Sequence, residues 1–474
     1  MAGEKVVANG INGLTGEYLV PPLEPAAVAA WALEPPEDPA VQAQLSQLHT
    51  AMTEASFGLP FDVDPASVEH AGWAVVFSTE EGDEVKTALE PLIEHRRQRI
   101  GDARTKVLEY RPGEGWADWL ARHRTAPGNI VPEKVPYYVL LIGGPTRIPF
   151  SFQYLLDTEY AVGRLDFDDA ADYASYVAAL IDYETTTASP RDSTATFFGT
   201  RHPFDRATQL SADSLVKPLL EGFRSGGRFA SAVSGWRIDD VLGEQATKAH
   251  LGEIFDGSGA SGSPALLFSA SHGVGGWPSG HVDQRARQGS LLCQDWPGIG
   301  QIQEAHYFGA SDIAEDAGVH GLIAFFFACY GAGTPKEDAF AHTPGTPRQE
   351  LAPEPFVGAL PKRLMSHPQG GALAVIGHID RAWGYSFVGG GERQLLPFQN
   401  ALGRVLVGQP IGFAMKDFNE KYAALSANLS TLLQDAGYGD RAISEDTLAQ
   451  VWTERNDAQN YVVLGDPAAA LRIR

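Results

Sequence analysis

ALLFSASHG at 265–273 and LIAFFFACYG at 322–331 share one design. Each is a short apolar run that ends in a polar residue and a glycine. Runs of this kind read as strands buried on both faces of a parallel sheet. As neighbours in such a sheet, they deliver His272 and Cys329 to the same edge. That carboxyl-terminal edge is where open α/β sheets bind their ligands.

The surrounding chain supports a parallel sheet. Upstream, apolar runs at 73–77, 106–110 and 137–142 alternate with helical patterns at 84–100 and 116–123, and the series continues with an extended segment at 161–164, a helix at 171–184, a strand at 194–199 and a helix at 212–224. A strand around 230–236, a helix at 244–255, a strand at 373–377, helices at 395–407, 412–425 and 445–456, and a final strand at 461–464 follow. Alternation of this kind predicts an α/β fold with helices on both faces of the sheet. Residues 1–64, rich in Pro, Ala and Gly with one helix near 41–55, read as an extension that wraps or caps the domain. The predicted division is an extension at 1–64, a first α/β subdomain at 65–155 and a catalytic subdomain at 156–474. Segments 274–300 and 331–355 break the rhythm and read as exposed loops framing a site.

Composition excludes several classes of function. The 474 residues include 36 Lys plus Arg against 59 Asp plus Glu, a net charge of -23 that disfavours nucleic acid and anionic membranes. No apolar run is long enough to span a membrane, and the first thirty residues lack the basic start and apolar core of an export signal. Two cysteines, Cys293 and Cys329, rule out a disulfide framework and a four-cysteine zinc module. A reducing, cytoplasmic location is therefore expected. No HExxH helix occurs, His281 with Asp283 is too thin for zinc, and GAGTPK at 331–336 lacks the ending of a phosphate loop. No cofactor follows from the residues.

A thiol next to an imidazole across a strand edge can do nucleophilic chemistry. The free thiol is only a few per cent ionised at neutral pH, so a nearby histidine must raise the thiolate fraction or protonate the leaving amine. The glycine after His272 lets backbone approach a scissile carbonyl, and the amides of Gly273 and Cys329 are the expected oxyanion donors. Taken singly, each residue reads more simply as a buried strand-end cysteine and a hydrogen-bonded loop histidine. Cys293, in GSLLCQDWPG, has no glycine turn after it and is expected to be a bystander in a loop.

The layout resembles the caspase-like, clan CD, cysteine peptidases, and within them the gingipain-type peptidases. The likeness rests on YYVLLIGGPTRIP at 137–149, VGRL at 162–165, SASHG and FACYGAG at the dyad, and VVLGDPAAAL at 462–471. It implies a three-layer α/β/α fold of two subdomains with mainly parallel sheets, and an acyl-enzyme mechanism through Cys329 and His272. It also implies a pocket for the residue before the cut lined by Trp383, by backbone around Ala270 and Ser271, and by Phe327. Calcium enters only through this resemblance.

In the arginine-cleaving relatives an acid fixes the substrate guanidinium, and Asp205 and Asp380 are the candidates here. Either carboxylate gives a preference for Arg or Lys. Equally, Asp205 can cap a helix and Asp380 can pair with Arg381. The expected function is a cysteine endopeptidase acting on protein or peptide substrates, with self-processing in the 331–355 loop. The alternative is a catalytically silent scaffold of the same fold that binds a regulatory partner protein.

Overall fold

The computed structural model describes residues 5–34, 58–186, 191–225, 227–259, 262–298, 300–340, 346–389, 392–438 and 443–472. In chain order the strands are β1 (Gly10–Asn12), β2 (Trp73–Ser78), β3 (Thr105–Tyr110), β4 (Tyr138–Ile142), β5 (Ala161–Leu165), β6 (Asp192–Gly199), β7 (Arg237–Leu242), β8 (Pro264–Ala270) and β9 (Gly273–Gly275). They continue with β10 (Leu291–Leu292), β11 (Tyr307–Phe308), β12 (Ile323–Phe327), β13 (Gly333–Thr334), β14 (Phe356–Val357), β15 (Ala374–His378), β16 (Val388–Gly389), β17 (Glu392–Arg393) and β18 (Tyr461–Gly465).

Ten of these form one sheet in the order β3-β2-β4-β5-β18-β15-β12-β8-β6-β7. Strands β3 to β18 run parallel to one another, as do β15 to β7. The two sets meet antiparallel where β18 pairs with β15. The fold is a mixed α/β architecture with helices packed on a mainly parallel sheet. The expected boundary near residue 155 does not coincide with a break, because β5 pairs with β4 on one side and with β18 on the other.

Apolar composition explains the central strands. β4 (YVLLI) and β12 (IAFFF) are buried along their whole length, as strands covered on both faces must be. The edge strands differ: β3 carries Lys106 and Glu109, and β7 is only partly buried and carries Arg237, Asp239 and Asp240. Charge on an edge discourages pairing with another chain. The segment at 230–236 forms turns, and the strand begins only at Arg237, a shift from the sequence expectation. The helix expected at 212–224 starts earlier, as a turn at Arg206–Leu210 that continues through a π-helical stretch into Lys217–Ser225. The helix expected near 41–55 lies outside the described residues.

Buried polar anchors account for three of the quoted motifs. Arg164 of VGRL donates to Gln153 Oε1 and to the carbonyls of Gly143 and Ile148, each at 2.8 Å, tying β5 to the turn after β4. Asp466 of the LGDP turn accepts from Trp73 Nε1 at 3.0 Å and from Arg96, whose other bonds run to Glu184 at 2.6 and 2.7 Å. Arg96 is fully buried, so its charge is tolerable only because two carboxylates share it.

Candidate active site

β8 and β12 are adjacent and parallel, with Ser269 opposite Phe326 and Ala270 opposite Phe327. His272 and Cys329 therefore lie two residues past the last paired positions of neighbouring strands. Two backbone features shape the edge. Tyr330, directly after the cysteine, has φ 59°, a left-handed conformation uncommon for a bulky residue, and its amide donates to the Asp380 carbonyl at 2.9 Å. Gly273 must be glycine, because a Cβ there would lie 1.7 Å from the carbonyl oxygen of Cys329.

The imidazole of His272 is held by a carboxylate. Its Nε2 lies 2.8 Å from Asp205 Oδ2. Burial alone would raise the Asp205 carboxyl, but the electrostatic attraction of the His272 imidazole and the hydrogen bonds from His272, Thr208 and Tyr18 overcome it and hold the group well below the usual carboxylate range. An ionised carboxylate can only accept, so Nε2 carries a proton, and in the neutral ring Nδ1 is the nitrogen with the free lone pair. Nδ1 is buried and has no hydrogen-bond partner among the described residues. Tyr18 at 5.7 Å and Trp296 at 6.1 Å pack edge-on against the ring.

Asp205 also caps the helix Arg206–Leu210 by accepting from the Thr208 amide at 3.0 Å, and its second oxygen accepts from the Tyr18 hydroxyl. The expectation that Asp205 fixes a substrate guanidinium is thus corrected: both oxygens are engaged, one of them on the histidine. Asp380 is similarly committed. It is buried and accepts from Arg381 Nη1 at 2.8 Å, while Arg381 Nη2 reaches Asp338 at 2.6 Å.

Cys329 is buried, and its Sγ accepts from the Ala382 amide at 3.3 Å. Burial pushes the thiol up to about 12, so it is protonated in this arrangement. The amides of Gly273 and Cys329 converge on a single oxygen, the carbonyl of Asn9, at 3.0 and 3.1 Å. The N-terminal extension thus reaches the dyad, with β1 running parallel to β9.

The remaining expected pocket residues take different parts. Trp383 is buried, packs its ring on Phe340 at 5.0 Å and forms an antiparallel bridge to Ala8. Ser271 offers its carbonyl to Asn9 Nδ2 at 3.4 Å. The Ala270 carbonyl accepts from the Thr200 amide at 3.2 Å, and the Phe327 ring sits in the core beside Phe387 and Phe398. Cys293 is not in an exposed loop as expected: it is fully buried beside β10, and burial pushes its thiol far above its ordinary value. Among the described residues no group of three His, Cys, Asp or Glu side chains is placed to hold a metal.

Sequence reasoning missed Asn9, Ser211 and Tyr18 at the site, and gave Asp205 a different task. The position of Asp205 ahead of a helix did signal a cap, but not which histidine would share the carboxylate.

No family model and no curated sequence matches the chain. Among solved structures it is similar to the Arg specific cysteine proteinase gingipain R, with 14% identity over 86% of this chain and 80% of that one and a TM-score of 0.48. The complex of Porphyromonas gingivalis RgpB pro- and mature domains gives 13% identity over 85% and 80%, with a TM-score of 0.42. The Saccharomyces cerevisiae separase–securin complex gives 10% over 93% of this chain and 24% of that one, with a TM-score of 0.27. These neighbours are caspase-like cysteine peptidases. No helix among the described residues is long and apolar enough to cross a membrane.

Proposed function

We propose that the chain is a cysteine endopeptidase whose nucleophile is Cys329, whose general base and acid is His272 and whose imidazole is oriented by Asp205. The observation that carries this is the convergence of two backbone amides on one peptide carbonyl, beside a thiol that follows the strand next to the one carrying a carboxylate-held histidine. An oxygen placed 3.0 and 3.1 Å from two N–H donors is where an oxyanion is best stabilised.

The steps follow from the groups present. The Cys329 proton passes to His272 Nδ1, the sulfur bonds to the carbonyl carbon, and the negative oxygen is held by the Gly273 and Cys329 amides. The imidazolium then protonates the departing nitrogen as the C–N bond breaks. Water, deprotonated by His272, cleaves the resulting thioester and restores the thiol. Asp205 keeps the proton on Nε2 throughout, so Nδ1 alone trades protons.

The substrate is a protein or peptide in a cytoplasmic setting, and no step in this scheme needs a metal; a chelator that abolishes turnover would bring calcium into it. Self-cutting within 331–355 would require opening a hairpin in which β13 pairs with β14 and the Leu351 amide donates to the Lys336 carbonyl at 2.7 Å. The expected preference for Arg or Lys loses both of its carboxylates to intramolecular partners.

One observation favours a second reading, a silent scaffold that binds a regulatory partner: the thiol is wholly covered. A panel of fluorogenic peptides assayed with wild type, Cys329→Ala and alkylated enzyme separates the two. Turnover lost in both treated forms is expected; turnover that survives in Cys329→Ala removes the peptidase assignment, and no turnover with no labelling favours the scaffold.

A further inference from the structure

The cleft at the dyad holds a segment of the chain itself, in the sequence Val-Val-Ala-Asn-Gly at 6–10. Its backbone adds a strand to the cleft wall, which is how extended peptides are recognised. The Asn9 amide donates to the Ala382 carbonyl at 2.8 Å and the Gly384 amide donates to the Val7 carbonyl at 2.9 Å, with Ala8 bridged antiparallel to Trp383. The next peptide carbonyl, that of Asn9, lies in the two-amide cradle. Beyond it Gly10 abuts the nucleophile so closely that a Cβ there would be 2.8 Å from Cys329 Sγ. After Gly10 the chain leaves parallel to β9, with Ile11 opposite Val274 and Asn12 opposite Gly275.

From this geometry we propose that Val6–Gly10 is a substrate of the enzyme's own active site: Asn9 fills the pocket for the residue before the cut, Asn9–Gly10 is the bond that Cys329 cleaves, and the pocket selects asparagine. The proposal rests on the peptidase assignment and adds to it the specificity and a self-cleavage site.

The pocket chemistry argues for a neutral amide. The Asn9 side chain is buried, with Nδ2 3.4 Å from both Ser211 Oγ and the Ser271 carbonyl. Ser211 directs its own hydroxyl proton to the Thr208 carbonyl at 3.2 Å, which leaves its oxygen as an acceptor. Two acceptors thus face the side chain's NH2 group. A substrate Asp would meet them with a carboxylate that has no proton to give. Lys or Arg would bring a buried charge to a pocket whose nearby carboxylates, on Asp205 and Asp380, are already taken.

The reaction balances with water as the only co-reactant. The thiol proton goes to His272 Nδ1, sulfur bonds to the Asn9 carbonyl carbon, and the Asn9–Gly10 C–N bond breaks as Nδ1 returns the proton to the Gly10 nitrogen. Hydrolysis of the thioester then frees the Asn9 carboxylate, and the chain begins at a new amino terminus on Gly10.

The test uses the full chain. Purified wild type, Cys329→Ala, Asn9→Gln, Asn9→Asp and Asn9→Arg are incubated and read by intact mass and N-terminal sequencing. In parallel, the wild type is assayed on paired fluorogenic peptides, Val-Val-Ala-Asn and Val-Val-Ala-Arg. Expected are a Cys329-dependent species starting at Gly10, a rate at least about 100-fold lower with Asp or Arg at position 9, and preference for the Asn peptide by a similar factor. Peptides enter the pocket only when the N-terminal segment lifts or has been cut, so both are compared on one wild-type preparation and their ratio reports on the pocket whatever fraction is open, which a variant that misfolds locally cannot hide. Cys329-dependent turnover of the Arg peptide without the Asn peptide overturns the asparagine assignment and leaves the peptidase intact. An Asn9–Gly10 bond that stays whole while the Asn peptide is consumed overturns self-cleavage. Turnover of neither peptide, with no Cys329-dependent cut, overturns this proposal and the peptidase assignment together.

Discussion

Replacing Gly10 by alanine should expose the thiol. In the wild type Cys329 is fully buried beneath the N-terminal segment, so a reagent reaches Sγ only when that segment lifts. A Cβ on residue 10 would sit 2.6 Å from Leu19 Cδ1, 2.8 Å from Cys329 Sγ and 3.1 Å from Cys329 Cβ. The leucine tip can rotate away; the cysteine, at the end of a buried strand, cannot. Overpacking against a fixed neighbour costs about 1–3 kcal/mol, which multiplies the lifted population about 5- to 150-fold. Alkylation of Cys329 by iodoacetamide, followed by intact mass on the uncut species at fixed pH, should accelerate by that factor in Gly10→Ala. Cys293, buried beside β10 two strands from β1 in the same small sheet, is the internal control for wider opening. Equal Cys329 labelling rates in the two proteins would refute the claim that this segment shields the thiol, and equal acceleration at Cys293 would assign the effect to general unfolding.

Two further outcomes follow from single carboxyl groups. Asp205→Asn keeps the shape but no longer enforces the proton on His272 Nε2, so kcat on peptides should fall about 100- to 10,000-fold with little change in KM, and an unchanged kcat would reduce Asp205 to a helix cap. Glu159, which accepts from the Gly128 amide at 2.7 Å, is pushed up to about 7 by burial. Between the ordinary carboxylate value near 4.3 and that raised value the folded state holds the extra proton, so the group's contribution to stability falls as pH rises through this window. Relative to Glu159→Gln, the wild type should therefore lose about 2–3 kcal/mol between pH 5 and pH 8, read from denaturant midpoints; a pH-independent difference would contradict the burial argument.

What the sequence discloses and what it conceals divide on physical grounds. β8 and β12 are legible because double-sided burial leaves an uninterrupted apolar run, and the His-Gly and Cys-Tyr-Gly endings follow from their shared edge. β7 is concealed because an edge strand needs few apolar residues and carries protective charge, so a turn at 230–236 with better apolar content takes its place in the reading. The role of Asp205 is hidden by its 67-residue separation from His272. Both an N-cap and an orienting partner call for the same residue type, and only the fold shows that one side chain does both. β1 is hidden most completely: three residues long, it pairs with a segment that begins at Gly273, and Ala8 just before it bridges to Trp383. No local periodicity can announce a strand whose partners are so distant.

The place of β18 in the sheet has a consequence for how the molecule is made. It is the last strand in the sequence, yet it stands at the middle of the sheet, between β5 and β15. During synthesis at roughly 5–20 residues per second, the chain between β15 and β18 takes on the order of ten seconds to emerge. Through that interval each half-sheet presents a bare, mainly apolar edge, a hazard for misassembly until the closing strand arrives. The dyad and the wall at 382–384 are complete before that moment, and Val6–Gly10 is older than either. The cleft is thus born with its occupant already tethered nearby, at an effective concentration no free peptide would match.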